Sequence, residues 1–321
     1  MNASPGALSR LKSGLGAFVF LALAGCGGTA TSATTTTSTA ATTATTITSA
    51  AGGEGPQLAF GYDRSAPLGF VDHGVVERRG PVVVHDIEFR SGTERIQGYL
   101  VEPVRLGRVP GFVLVHGAGG DRTELLDDAI ELAQRGAVAL TITAPSTAYP
   151  LPQPTTVARL LSGTTLTTLR DVVAVRRAAD VLVSRRAVDP KRIGYLGWSA
   201  GAKTGTFVAA ADPRFRALAL LSAGADSLSA FVASAPAADR RLVRRALGSV
   251  DPIRYVALAR PGTLLLEDGT RDAVVPHSAL ENVVRAAPRG TLVRWYPTGH
   301  ALDAKAYSDA FTWLLERLRN Q

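Results

Sequence analysis

The sequence predicts an α/β chain built on a mostly parallel, doubly wound sheet. From Gly111 onward, short runs of Val, Leu and Ile alternate with amphipathic helical segments, the pattern of strands covered by helices on both faces. The 321 residues are 46% hydrophobic and 19% charged, which supplies a large core and argues against wholesale disorder. There is no internal repeat, so a solenoid or propeller is not expected.

The elements follow in chain order. Residues 1–25 carry Arg10, Lys12 and no acid, then an apolar stretch from Leu15 to Ala24. As a helix that stretch reaches only ~15 Å, about half a bilayer core, so it suits a signal-peptide core rather than a membrane span. It ends in Leu23-Ala24-Gly25-Cys26, which resembles the bacterial lipobox. That resemblance implies cleavage before Cys26, acylation of its thiol, and an extracytoplasmic chain tied to the cell membrane. Cys26 is the only cysteine, which excludes an internal disulfide and a cysteine-based zinc site. Residues 26–55 form a linker: between 29 and 48, twelve of twenty positions are Thr, too little apolar surface to offset the entropy of ordering.

The body, 56–321, begins with two β-rich segments, Val82 to Phe89 and Ile96 to Val101, separated by Ser91-Gly92-Thr93 and read as an antiparallel pair. Six more strands follow: Gly111 to Val115, Ala137 to Ile142, Arg192 to Leu196, Phe215 to Leu221, Gly262 to Leu266 and Thr291 to Trp295. The expected sheet therefore has eight strands. Helices are expected at Thr123 to Arg135, Thr167 to Ser184, Ala200 to Ala211, His277 to Ala287 and Asp303 to Leu318. Asp121 and Glu124 have the spacing of a capping box, and Gly136 suits a helix end. Residues 226–250 break the rhythm and read as one or two extra helices, either a small cap over the strand ends or a surface excursion. Arg240, Arg241, Arg244 and Arg245 make one basic helical face there, read as solvated.

The formal charge is +8, or +6 without Arg10 and Lys12. All but four of the 35 basic residues are Arg, and they are scattered, which argues against a nucleic-acid partner.

The chemistry gathers around Gly197-Trp198-Ser199-Ala200-Gly201, a Gly-x-Ser-x-Gly pattern that chance would place roughly 0.2 times in a chain of this composition. An apolar run precedes it and an Ala-rich helical run follows, so Ser199 sits at a strand-to-helix turn that presents its hydroxyl above the sheet. Serine needs a base, and the base needs an acid to orient it. Of the five His, His73 and His85 precede the parallel strands, His116 ends the first of them, and His277 opens a helix as a capping or surface residue. His300 follows the last strand and is the preferred base. Asp272, beyond the strand ending at Leu266, is the preferred acid, with Asp226 as the alternative; Glu267, Asp268 and Asp303 read as solvated loop or helix-start carboxylates. The Ala200 amide is placed by geometry to face an oxyanion, and the turn His116-Gly117-Ala118-Gly119-Gly120 should supply the second donor, with Ala118 favoured. Trp198 reads equally as acyl-pocket lining or packing. The spacing of His and acidic residues suggests no metal site, and the chemistry requires no cofactor.

Taken together, His-Gly-x-Gly-Gly at 116–120, Gly-x-Ser-x-Gly at 197–201, Gly-x-x-Asp-x-x-Val-Pro at 269–276 and Gly299-His300 resemble the α/β-hydrolase superfamily, nearest to its dienelactone-hydrolase-like and acetyl-xylan-esterase-like branch. The resemblance covers 82–318 and implies the α/β-hydrolase fold and hydrolysis of a small-molecule ester. Dienelactone hydrolases use a cysteine nucleophile, whereas position 199 is Ser, which favours an ordinary ester. Two other readings are carried: a prolyl-oligopeptidase-like peptidase, for which the stretch before Pro81 is too short to hold a propeller, and a surface binding protein with a relic triad.

Overall fold

The computed structural model describes residues 60–104, 107–152, 154 and 156–319. The expected leader, the expected linker at 26–55 and the expected lipidation site Cys26 lie outside the described residues. Nine strands form one sheet: β1 (Val71–Arg79), β2 (Val82–Ser91), β3 (Glu94–Pro103), β4 (Val109–Val115), β5 (Val138–Ile142), β6 (Val188–Trp198), β7 (Phe215–Leu221), β8 (Leu264–Gly269) and β9 (Leu292–Tyr296). Their order is β1-β2-β3-β5-β4-β6-β7-β8-β9, and every pair from β5 to β9 is parallel. The order reverses at β4, with β5 on one side and β6 on the other. A crevice opens at the carboxyl ends of strands at such a switch point.

The helices are α1 (Leu126–Gln134), α2 (Pro145–Ala148), α3 (Val157–Ser184), α4 (Ala200–Ala211), α5 (Leu228–Ser234), α6 (Arg240–Gly248), α7 (Pro252–Val256), α8 (His277–Ala286) and α9 (Ala304–Arg319). Alternate residues of one strand enter two separate cores. Phe112 and Leu114 of β4 pack with α1 and α9, while Val113 and Val115 pack with α3, α4 and α7. This is the double winding expected from near-continuous apolar strands.

Four expectations change. The sheet has nine strands, not eight. The additional β1 is exposed or half-exposed along its whole length, so it carries no apolar alternation to read, and only its ladder to β2 defines it. Helix α3 starts at Val157 rather than Thr167. Its first turns contain Gly163 and several Thr; the hydroxyls of Thr164, Thr165 and Thr168 bond back to carbonyls four residues earlier, so residues that suggest a loop are accommodated in a helix. Thr156 caps it, accepting from the Arg159 amide. The Asp121/Glu124 capping box does not form: Asp121 accepts from Thr123 two residues on, and Glu124 turns away to Gly117. Finally, Glu267 and Asp268 are not solvated loop carboxylates; both lie inside β8, 0% and 1% exposed. Gly136 does end α1, in the left-handed region at φ 90°.

Residues 226–250 hold α5 and α6, whose buried Phe231, Val232, Val243 and Leu247 pack on Val157, Leu160 and Leu161 of α3 as a small core of their own. The four arginines of α6 are exposed. At the other end of α3, Arg176 and Arg177 donate to the carbonyls of Phe60, Ala66 and Pro67, tying the entering chain to the body.

Candidate active site

β6 and α4 meet at Ser199, whose backbone lies at φ 55°, ψ −111°. A non-glycine residue at positive φ is costly and persists only where its surroundings over-determine it. Here the Ser199 amide donates to the Leu221 carbonyl at 2.8 Å, its carbonyl accepts from Lys203 at 3.0 Å, and the Gly201 amide donates to His116 at 3.0 Å. Two glycines allow the approach. A Cβ on Gly201 would lie 2.1 Å from the Val115 carbonyl oxygen, and one on Gly197 would lie 2.5 Å from the Gly201 carbonyl carbon. Both obstacles are backbone, which cannot swing aside.

The structure brings Ser199, His300 and Asp272 together from the ends of β6, β9 and β8. His300 Nε2 is 2.8 Å from Ser199 Oγ, and His300 Nδ1 is 2.8 Å from Asp272 Oδ2. The other Asp272 oxygen accepts from the amides of Val274 and Val275 at 2.8 and 2.9 Å. An ionised carboxylate only accepts, so the satisfied arrangement puts the proton on Nδ1 and leaves Nε2 to accept from the Ser199 hydroxyl. All three side chains are withdrawn from solvent: Ser199 is 5% exposed, and the side chains of His300 and Asp272 are 12% and 1% exposed.

The other histidines are placed elsewhere. His116 accepts from the Ala144 amide at Nε2 and donates from Nδ1 to the Gly117 carbonyl; burial lowers its pKa and keeps it neutral. His277 is exposed, paired with Glu281, and its ring lies tilted against that of Trp295. Asp226 stands ahead of α5 with its pKa raised by burial, and Asp303 accepts from the Ala306 amide at the start of α9.

At the turn after β4, Glu124 Oε2 accepts from the Gly117 amide at 2.6 Å. That commits Gly117, and Gly201 is committed to His116. Among the described residues no protein acceptor takes the amides of Ala118 or Ala200. Trp198 packs as a strut: its ring lies so close to Gly117 that a Cβ there would fall 2.6 Å away, and its Nε1 donates to the His300 carbonyl at 3.0 Å. Sequence reasoning missed the roles of Glu124 and of Ser222, whose hydroxyl also donates to the His300 carbonyl. Neither has a local signal, because each partner is reached only through the fold.

Behind Asp272, the Asp268 carboxyl has one oxygen without a hydrogen-bond partner. Burial raises its pKa to about 7, with the nearby charges of Asp272 and Glu267 adding to the rise. An unfolded Asp titrates near 4, so the native chain holds this proton to higher pH. The associated stability is fully present below about pH 4 and is lost as pH climbs from there through about 7. Asp268→Asn has the same shape and no proton to lose. Its melting temperature relative to wild type is expected to rise between pH 4 and pH 8; thermal melts showing the same difference at both would refute the assigned cause.

No group of three or more His, Cys, Asp or Glu among the described residues is placed to hold a metal ion. The sequence matches no family model and no curated protein. Solved structures do resemble it. Acetyl xylan esterase 1 from Thermoanaerobacterium sp. JW/SL YS485 superposes with a TM-score of 0.67 at 17% identity, covering 82% of this chain and 92% of its own. An acetyl xylan esterase from Paenibacillus sp. R4 gives 0.65 at 17% identity with the same coverages. A protein assigned as a dienelactone hydrolase from Klebsiella pneumoniae subsp. pneumoniae MGH 78578 gives 0.54 at 17% identity over 75% of this chain and 99% of its own. With a mostly parallel nine-stranded sheet, an elbow after β6 and these structural likenesses, the chain has the α/β-hydrolase fold.

Proposed function

We propose that this protein is a serine hydrolase of carboxylic esters. The observation that carries the reading is the continuous relay Ser199 Oγ, His300 Nε2, His300 Nδ1, Asp272 Oδ2, with 2.8 Å at both contacts, mounted on a strained strand-to-helix turn. Ser199 Oγ attacks the acyl carbon while His300 takes the hydroxyl proton, and Asp272 stabilises the imidazolium so formed. The amides of Ala118 and Ala200 donate to the oxyanion. As the tetrahedral intermediate collapses, the ester C–O bond breaks and His300 returns the proton to the departing alkoxide. Water, deprotonated by the same His300, then attacks the acyl-serine and releases the acid, restoring the Ser199 hydroxyl. Two of the structural neighbours are named as acetyl xylan esterases, which favours short acyl groups, and a third is named as an esterase.

The test is labelling of the folded protein with an active-site-directed phosphonate, followed by peptide mapping. Stoichiometric modification of Ser199 is expected, together with faster hydrolysis of p-nitrophenyl acetate than of a long-chain ester or an aminoacyl anilide. Absence of label at Ser199 would sink the enzyme reading, and preference for the anilide would replace it with a peptidase.

A further inference from the structure

His300 carries the candidate base on a loop, between the end of β9 and the start of α9, and a loop does not hold a ring to a few tenths of an ångström by itself. Its ring makes one hydrogen bond on each side. Its backbone carbonyl is held by two donors from different strands: Trp198 Nε1, at the end of β6, and Ser222 Oγ, just past β7, each at 3.0 Å. A carbonyl oxygen has two lone pairs, so the two donors saturate it. The Trp198 ring also lies against the His300 ring, with centroids 5.3 Å apart.

Ser222 is an unexpected residue for this position. Its backbone sits in the left-handed region at φ 56°, and it is 1% exposed. Its amide is engaged with the Glu267 carbonyl at 2.8 Å. Glycine adopts this φ without the steric cost that a Cβ brings. What glycine lacks is the hydroxyl, and that hydroxyl bonds to His300.

We propose that Ser222, together with Trp198, is a positioning residue that clamps the His300 carbonyl and thereby holds the imidazole between Ser199 and Asp272. The proposal rests on the ester-hydrolase reading above. Neither residue touches the reacting atoms; both act through the base. Losing one donor leaves the loop held by the other, whereas losing both frees it, so the two sites should couple rather than act independently.

Ser222→Gly separates the two contributions, since it relieves the backbone strain while removing the hydroxyl. It is expected to melt at or above the wild-type temperature, yet to show a kcat about 10-fold lower with KM within twofold, because a slightly misplaced base slows chemistry without altering substrate binding. Trp198→Phe keeps a ring and loses the Nε1 donor, and should show the same split. The double variant should lose more kcat than the product of the two singles. Wild-type activity and phosphonate labelling of Ser199 are measured alongside. An unlabelled wild type defeats the ester-hydrolase reading, whereas a labelled and active wild type with Ser222→Gly at wild-type kcat overturns the clamp alone. A raised KM at unchanged kcat would likewise overturn it.

Discussion

His300→Ala is expected to lower kcat/KM on an activated acetyl ester by on the order of 10⁴- to 10⁶-fold, with the melting temperature little changed. The reason is geometric. Ser199 Oγ has one base within reach, at 2.8 Å, and the other histidines are engaged elsewhere: His116 with Ala144 and Gly117, and His277 with Glu281 and Trp295. Ser199→Ala should lose as much. The double variant should be no worse than either single change, since nucleophile and base act as one unit and removing either disables both. Asp272→Asn should fall by on the order of 10⁴, because an amide in place of the carboxylate favours the wrong imidazole tautomer. Steady-state kinetics on the four proteins check the set; His300→Ala retaining activity within tenfold of wild type would refute the assignment of the base.

Gly201→Ala is expected to be the most damaging single methyl at any glycine among the described residues, destabilising by about 3 kcal/mol or more and lowering activity at least about 100-fold in whatever protein still folds. The added Cβ would meet the Val115 carbonyl oxygen at 2.1 Å and the His116 carbonyl oxygen at 2.8 Å. Val115 ends β4 and His116 directly follows it; β4 is paired on each side by β5 and β6, so the strand has nowhere to move. The first turn of α4 would have to retreat instead, carrying Ser199 away from His300. The same substitution at Gly163 should have the opposite sign. A Cβ there meets only Leu151 at an ordinary 3.5 Å, and the site lies inside α3, where alanine is favoured over glycine by roughly 0.5–1 kcal/mol. Chemical denaturation of both variants checks the contrast; a Gly201→Ala protein as stable and active as wild type would show that the close crossing of β4 and α4 is not required.

What could be read directly from the chain was what is local or ordered along it. The unit β6, Ser199 and α4 is a strand, a turn and a helix contiguous in sequence, so its apolar run, its glycines and its alanines all bear on one short stretch. The order Ser199, Asp272, His300 follows from the succession of strands in a parallel sheet, whose carboxyl ends all face one side. Helix α4 was legible to the residue because its signals agree with one another.

Tertiary structure decided the rest, for reasons particular to each place. Strand β1 has no buried face, and only pairing with β2 makes it a strand. The start of α3 looks like loop because Thr hydroxyls in isolation compete for the backbone, whereas in the folded chain they bond back along the helix over which α5 and α6 pack. Glu267 and Asp268 look like loop acids, yet the sheet closes over them and raises both to about 7. Ser222 lies 78 residues from the carbonyl it holds, and Glu124 belongs to the turn it braces rather than to the helix it precedes. A sequence states which residues can do chemistry and in what order the strands deliver them. Which carboxylates lose their water, and which side chains hold the base in place, depends on contacts that exist only once the sheet has formed.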